Sequence, residues 1–281
     1  MSILSCRRIK TKIQKIYIMK GVVKMGCERP YYEDLNYRPF LFYIVFGTDN
    51  EHLDISRKRH RVDEFPDGLD FLFLKRPEND EYMDALIGGT LGKVLNDNYY
   101  NLYEAIQKTD KWAVIRGEVQ KDSDLHYIRN AIGFVQALVE KGAIGVLDLQ
   151  TFTLYTPSEW TSKIFDPEFD PYSHVVILTS KMEDGSIWLH TRGMRKFGRP
   201  DISMEKLSEN EVDNAARVIN QMIFYSALGA FFSRPVKLHT HNGLTCIVKP
   251  EFVEDLDNPD FNNSYYRILW DECELESEID K

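Results

Sequence analysis

The segment His190-Thr191-Arg192-Gly193-Met194-Arg195-Lys196-Phe197-Gly198-Arg199-Pro200-Asp201 carries four cations between residues 191 and 199 with no acid among them. Guanidinium groups bind carboxylate or phosphate through paired N–H donors, so Arg192, Arg195 and Arg199 can clamp an anion. His190 can titrate beside it, and Asp201 closes the segment. Gly193 and Gly198 let backbone approach a ligand closely, or they serve a fold corner that needs their conformational freedom. The same arginines can equally be taken up by the protein's own carboxylates, and an arginine cluster alone names no reaction.

His239-Thr240-His241 is the next constellation. Residues two apart on a strand share a face, so both imidazoles can reach one metal ion. Two ligands do not complete a site, and no metal or other cofactor is expected. No Gly-x-Ser-x-Gly elbow, His-Glu-x-x-His helix or Walker loop occurs, and Gly88-Gly89-Thr90-Leu91-Gly92 lacks the Gly-Lys-Ser/Thr that a phosphate loop requires.

The elements around these residues are read from period and punctuation. Residues 38–46 and 69–75 are apolar runs of strand length, and residues 80–109 turn helical in pattern toward their end. Residues 112–119 alternate as a strand. Ser123 is then the candidate N-cap of a helix whose apolar face is Leu125, Ile128, Ile132, Val135 and Val139, and strands at 143–147 and 151–155 follow. Thr156-Pro157-Ser158-Glu159 is a capping box with proline at the first helical position. Residues 174–181 and 186–191 form a hairpin about a two-residue Asp184-Gly185 turn, which places Val175, Ile177 and Trp188 on one face. Ser208 with Glu211 opens the longest helix, lined by Val212, Ala216, Ile219, Ile223 and Ala227. Residues 235–240 and 244–248 supply a further strand pair, and 265–270 an edge strand. Hairpins with singly inserted helices indicate an α+β fold with a mixed or mostly antiparallel sheet. A β-α-β-β order at 112–155 returns more loosely at 202–249, as two halves would, although no residue-level repeat accompanies it.

Three stretches carry a resemblance: residues 188–201 (WLHTRGMRKFGRPD), 142–160 (GAIGVLDLQTFTLYTPSEW) and 258–263 (NPDFNN). Together they resemble a group of bacterial proteins defined only by a domain of unknown function, over roughly residues 110–270. The resemblance implies no activity and assigns no catalytic residue.

Charge divides the chain. Residues 1–24 hold seven basic residues and no acid, and read as a basic leader, disordered or preceding the true start. An N-terminal α+β part is expected over 25–110, a C-terminal α+β part over 111–270, and an acidic tail over 271–281. The formal net charge of −9 disfavours binding to a phosphate backbone. Cys6, Cys27, Cys246 and Cys273 are too few and too scattered for a disulfide framework, which suits a reducing cytoplasm. Three readings follow. One is a non-enzymatic interaction module with a basic protein partner, such as an accessory or toxin-neutralising protein. Another is an enzyme or sensor binding an anionic small molecule through residues 190–201. The last is a structural subunit of an oligomer.

Overall fold

The computed structural model describes residues 26–35, 37–48, 53–165, 169–239, 245–254, 261–270 and 274–276. The basic leader, His241 and most of the acidic tail lie outside the described residues. In chain order the elements are β1 (Phe40–Phe46), α1 (Arg57–His60), β2 (Leu69–Lys75), α2 (Asp80–Ile87), α3 (Gly89–Gln107), β3 (Lys111–Glu118), α4 (His126–Val139), β4 (Gly145–Asp148), β5 (Thr153–Tyr155) and α5 (Pro157–Glu159). There follow β6 (Val176–Lys181), β7 (Ile187–Arg192), β8 (Asp201–Leu207), α6 (Val212–Ala227), β9 (Val236–His239), β10 (Thr245–Val248), β11 (Glu251–Val253), β12 (Tyr265–Leu269) and β13 (Glu274–Glu276).

The fold is α+β with mostly antiparallel sheets. One five-stranded sheet has the order β2-β3-β1-β4-β5, a second the order β11-β12-β8-β7-β6, and a small sheet joins β13, β10 and β9. The pair β8–β12 is parallel. The β-α-β-β order appears as β3-α4-β4-β5 and again as β8-α6-β9-β10. Strands from either side of residue 110 share the first sheet.

Strand β1 shows why that sheet is covered on both faces. Leu41, Tyr43 and Val45 enter the main core with the α4 residues Ile128, Ala131 and Val135. Their neighbours Ile44 and Phe46 enter a second core with Met83, Ile87, Leu95 and Ile106 of α2 and α3. A strand with apolar residues at both parities must be sandwiched, because successive side chains point to opposite faces. The second sheet contributes Ile177, Leu189, Ile202, Met204 and Ile268 to the main core, where α6 supplies Ala215, Val218, Ile219, Met222 and Ile223.

Four local expectations change. The 174–191 hairpin turns through Glu183, Asp184 and Gly185, with Met182 N–H donating to Ser186 O (2.8 Å) and Gly185 at φ 86°. The extra loop residue slips the register by one, so Leu178 faces His190 and Ser180 faces Trp188. Residues 265–269 are no edge, since β12 lies between β11 and β8. Ser123 does not cap α4: Leu125 takes the N-cap place, and Asp124 Oδ1 accepts from His126 N (2.9 Å). At the start of α6, the Ser208 hydroxyl donates to Glu211 (2.6 Å) and does not accept from the helix. The Thr156–Glu159 capping box is complete.

Candidate functional site

Strand β7 runs into a single 3-10 turn, Met194–Phe197, bracketed by Gly193 at φ 115° and Gly198 at φ 59°. Both glycines are required twice over. A Cβ at Gly193 would lie 2.5 Å from His174 O, and one at Gly198 would lie 2.5 Å from Tyr37 O. Close backbone approach and positive φ therefore both exclude a side chain. The turn packs against α6 and β1 and feeds β8, so residues 190–201 form the corner where the two large sheets meet.

The cations of this corner face inward. Arg199 is 1% exposed and donates to the carbonyls of Gly198 (2.6 Å), Gly229 (2.6 Å), Ala230 (3.1 Å) and Glu33 (3.4 Å). Burial draws its guanidinium down to about 10, still charged at neutral pH. Arg29 lies beside it. Its guanidinium donates to Ala227 O (3.1 Å), Asp122 O (2.7 Å) and Phe197 O (2.8 Å) and lies 3.6 Å from the Asp122 carboxylate. These two arginines tie together four chain segments whose carbonyls no regular ladder serves. Arg192 lies over the Phe152 ring at 4.0 Å, and Arg195 lies over Phe40 at 4.5 Å while donating to Asn262 O (3.1 Å). The guanidiniums expected to form an anion clamp thus turn to separate internal partners, and Arg195 alone of the three is half-buried.

A pairing that motif reading passed over completes the network. Lys196, 0% exposed, pairs with the buried carboxylate of Asp148 at the end of β4. Burial lowers the Lys196 ammonium from its ordinary value, against the raising pull of Asp148. Tyr127 O–H donates to Lys196 O (2.8 Å). Asp148 had one legible signal, an acid at the end of the apolar run Gly145–Asp148; Lys196 stood out as one of the four cations of residues 191–199, but nothing local tied it to a partner 48 residues away.

Asp201 is wholly buried and accepts from Thr191 Oγ1 (2.8 Å), Met194 N (3.3 Å) and Asn263 Nδ2 (2.9 Å). Burial pushes its carboxyl up to about 6, although these donors pull it down. His190 is stacked on Trp188 (3.9 Å), with Phe261 edge-on at 5.5 Å, and burial with Arg192 lowers it to about 3. It is neutral at pH 7. Its Nδ1 has no hydrogen-bond partner among the described residues.

His239 ends β9 opposite Thr245 in backbone register, and His241 lies outside the described residues. Among the described residues no group of three or more His, Cys, Asp or Glu is placed to hold a metal ion. The basic run 57–61 meets acids, Arg57 with Asp63 and Arg59 with Glu140, both at 2.5 Å.

The arrangement has a chemical task directed at the protein itself. Residues from 148–160, 188–201 and 261–263, distant in sequence, meet here through Asp148–Lys196, Arg195–Asn262 and Asp201–Asn263. Arg199→Lys is expected to lower stability by about 2–4 kcal/mol, because a compact ammonium cannot serve carbonyls spread around a planar fork. Urea unfolding measures this, and an unchanged midpoint would contradict the assigned bonds. Compared with family models, curated proteins and solved structures, the chain matches none.

Proposed function

We propose that the protein is a non-enzymatic interaction module of the bacterial cytoplasm that engages a basic protein partner, as an accessory or toxin-neutralising protein does. The observation carrying this reading is the inward turn of the corner cations. Arg192 at 5%, Lys196 at 0% and Arg199 at 1% exposure contribute little to the outer field of a chain whose formal net charge is −9. An acidic exterior favours encounter with a basic surface. Among the described residues no helix is long and apolar enough to cross a membrane.

Tagged protein immobilised at low salt and exposed to host lysate should retain a basic protein that rising salt releases. Retention of nothing at low salt removes the reading's main support. The competing reading, an anion-binding enzyme or sensor using residues 190–201, rests on the half-buried Arg195. Thermal shift with phosphate, nucleotides and dicarboxylates separates the two. No anion should raise the melting temperature; stabilisation that disappears in Arg195→Ala would favour the competing reading.

A further inference from the structure

Among the described residues strand β2 is the outer strand of the first sheet, and its central residues are Phe71-Leu72-Phe73. Arg76 N–H donates to Asp110 O (2.9 Å), one step beyond the pair Lys75 and Lys111. Hydrogen-bonded and non-bonded pairs alternate along an antiparallel ladder, so Asp70, Leu72 and Leu74 are the residues bonded to β3. The other edge of β3 agrees, because Lys111 O accepts from Gly47 N (2.9 Å) and Val119 N donates to Pro39 O (2.9 Å), which assigns the odd-numbered β3 residues to β1. Phe71 and Phe73 therefore direct both N–H and C=O outward.

That opening is bounded. Lys75 N–H donates to Asn79 Oδ1 (2.9 Å), Asn79 N–H returns to Lys75 O (2.9 Å), and Leu69 N–H donates to Pro66 O (3.2 Å). Sheet edges are ordinarily guarded at their middle by a charge, a proline or a bulge. Here the exposed charges Asp70 and Lys75 flank an apolar centre, and Phe73 is 39% exposed. Its ring adjoins Phe71 (4.8 Å), which continues through Phe134 (5.0 Å) to Phe65 (4.8 Å from Phe134).

We propose that this edge pairs with β2 of a second copy of the chain, antiparallel about a two-fold axis at Leu72. In that register Phe71 of each copy opposes Phe73 of the other as a hydrogen-bonded pair, and every outward N–H and C=O of Phe71 and Phe73 gains a partner. The occupied groups of Leu69 and Lys75 end the ladder on both sides. Phe71 and Phe73 of the two copies meet on one face and extend the aromatic row across the axis. On the other face Asp70 lies diagonal to Arg76 of the second copy, whose guanidinium already donates to Asp80 (2.6 Å) and Asp84 (2.5 Å), so Asp70 would join an existing cluster rather than meet a free cation. A two-fold contact closes on itself, so it yields a dimer and no filament. This contact is independent of the basic partner proposed above.

Sedimentation and light scattering over a concentration series test it. The native chain should approach twice its 32.9 kDa mass. Phe73→Pro removes an outward N–H while sparing the bonds to β3, as a sheet edge tolerates. Phe73→Lys charges the centre without touching the backbone. Each should raise the dissociation constant by about tenfold or more at unchanged circular dichroism. Leu72→Cys should cross-link to itself on oxidation, since residues facing across a non-bonded pair have Cα atoms about 4.5 Å apart, within disulfide reach. A chain that stays monomeric throughout overturns the proposal. So does a dimer that survives both Phe73 variants, or cross-linking of Asp70→Cys as readily as Leu72→Cys.

Discussion

Lys196→Met, with Asp148 retained, is expected to lower the unfolding free energy by about 3–5 kcal/mol, because it leaves an uncompensated carboxylate in the interior. The side chains of the pair are 0% and 4% exposed, so water cannot take over the role of the missing ammonium. Asp148→Asn should cost a comparable amount by stranding Lys196. The double change Lys196→Met with Asp148→Leu should recover a large part of either loss, since desolvating both ions offsets much of their attraction. It will not recover all, because Asp148 Oδ1 also accepts from Gln150 N (2.9 Å). Urea midpoints at constant m read the three variants, and a double variant as unstable as the worse single one would refute the uncompensated-charge account. Exposed pairs such as Lys163 with Glu159 (2.8 Å) contribute far less, because solvent screens them and long side chains lose freedom in forming them.

Stability should fall steadily as pH drops below 6.5, and two buried histidines are the cause. His190 is lowered to about 3 by burial and Arg192, and His174 is lowered well below 6.5 by burial and Lys196. Each binds a proton more readily in the unfolded chain. Their stabilising contribution is therefore complete above 6.5 and is lost toward the folded values, at ~1.4 kcal/mol per pH unit for each group. Asp201 acts in the opposite sense. Its carboxyl is raised from 3.8 to about 6, so within that window the folded state binds the extra proton and acid stabilises it. Between pH 6 and pH 4 the loss from His190 and the gain from Asp201 oppose each other, and the lowered His174 tips the balance toward lower stability in acid. Urea unfolding across pH 4–7 measures the slope. His190→Gln should flatten it, and Asp201→Asn should steepen it by a similar amount. An unchanged slope in His190→Gln would show that this imidazole is not held neutral by burial.

Much of the fold was legible because it is encoded locally. Period and punctuation located β1, β2, β3, α4 and α6 from residues within one element of each other, and the Thr156–Glu159 box is a contact between residues three apart. The hairpin illustrates the limit of local reading. Asp184-Gly185 marked the turn correctly, but loop length set the register, and one extra residue exchanged the faces of Trp188 and Leu189. Strand β12 shows a different limit. Nothing in Tyr265–Leu269 says that its neighbour is β8 in parallel, because a strand's partner is chosen by packing across the sheet.

Residues 190–201 were conspicuous from composition, and the sequence by itself determined that this segment is unusual, glycine-punctuated and cationic. Only the tertiary structure decided where those cations point. Whether a guanidinium meets solvent, an anion or a backbone carbonyl depends on which distant segments arrive beside it: Glu33, Gly229 and Ala230 for Arg199, Asn262 for Arg195, Asp148 for Lys196. Residue type sets what a side chain can bond, and burial, a property of the assembled chain, sets which bonds are left to make.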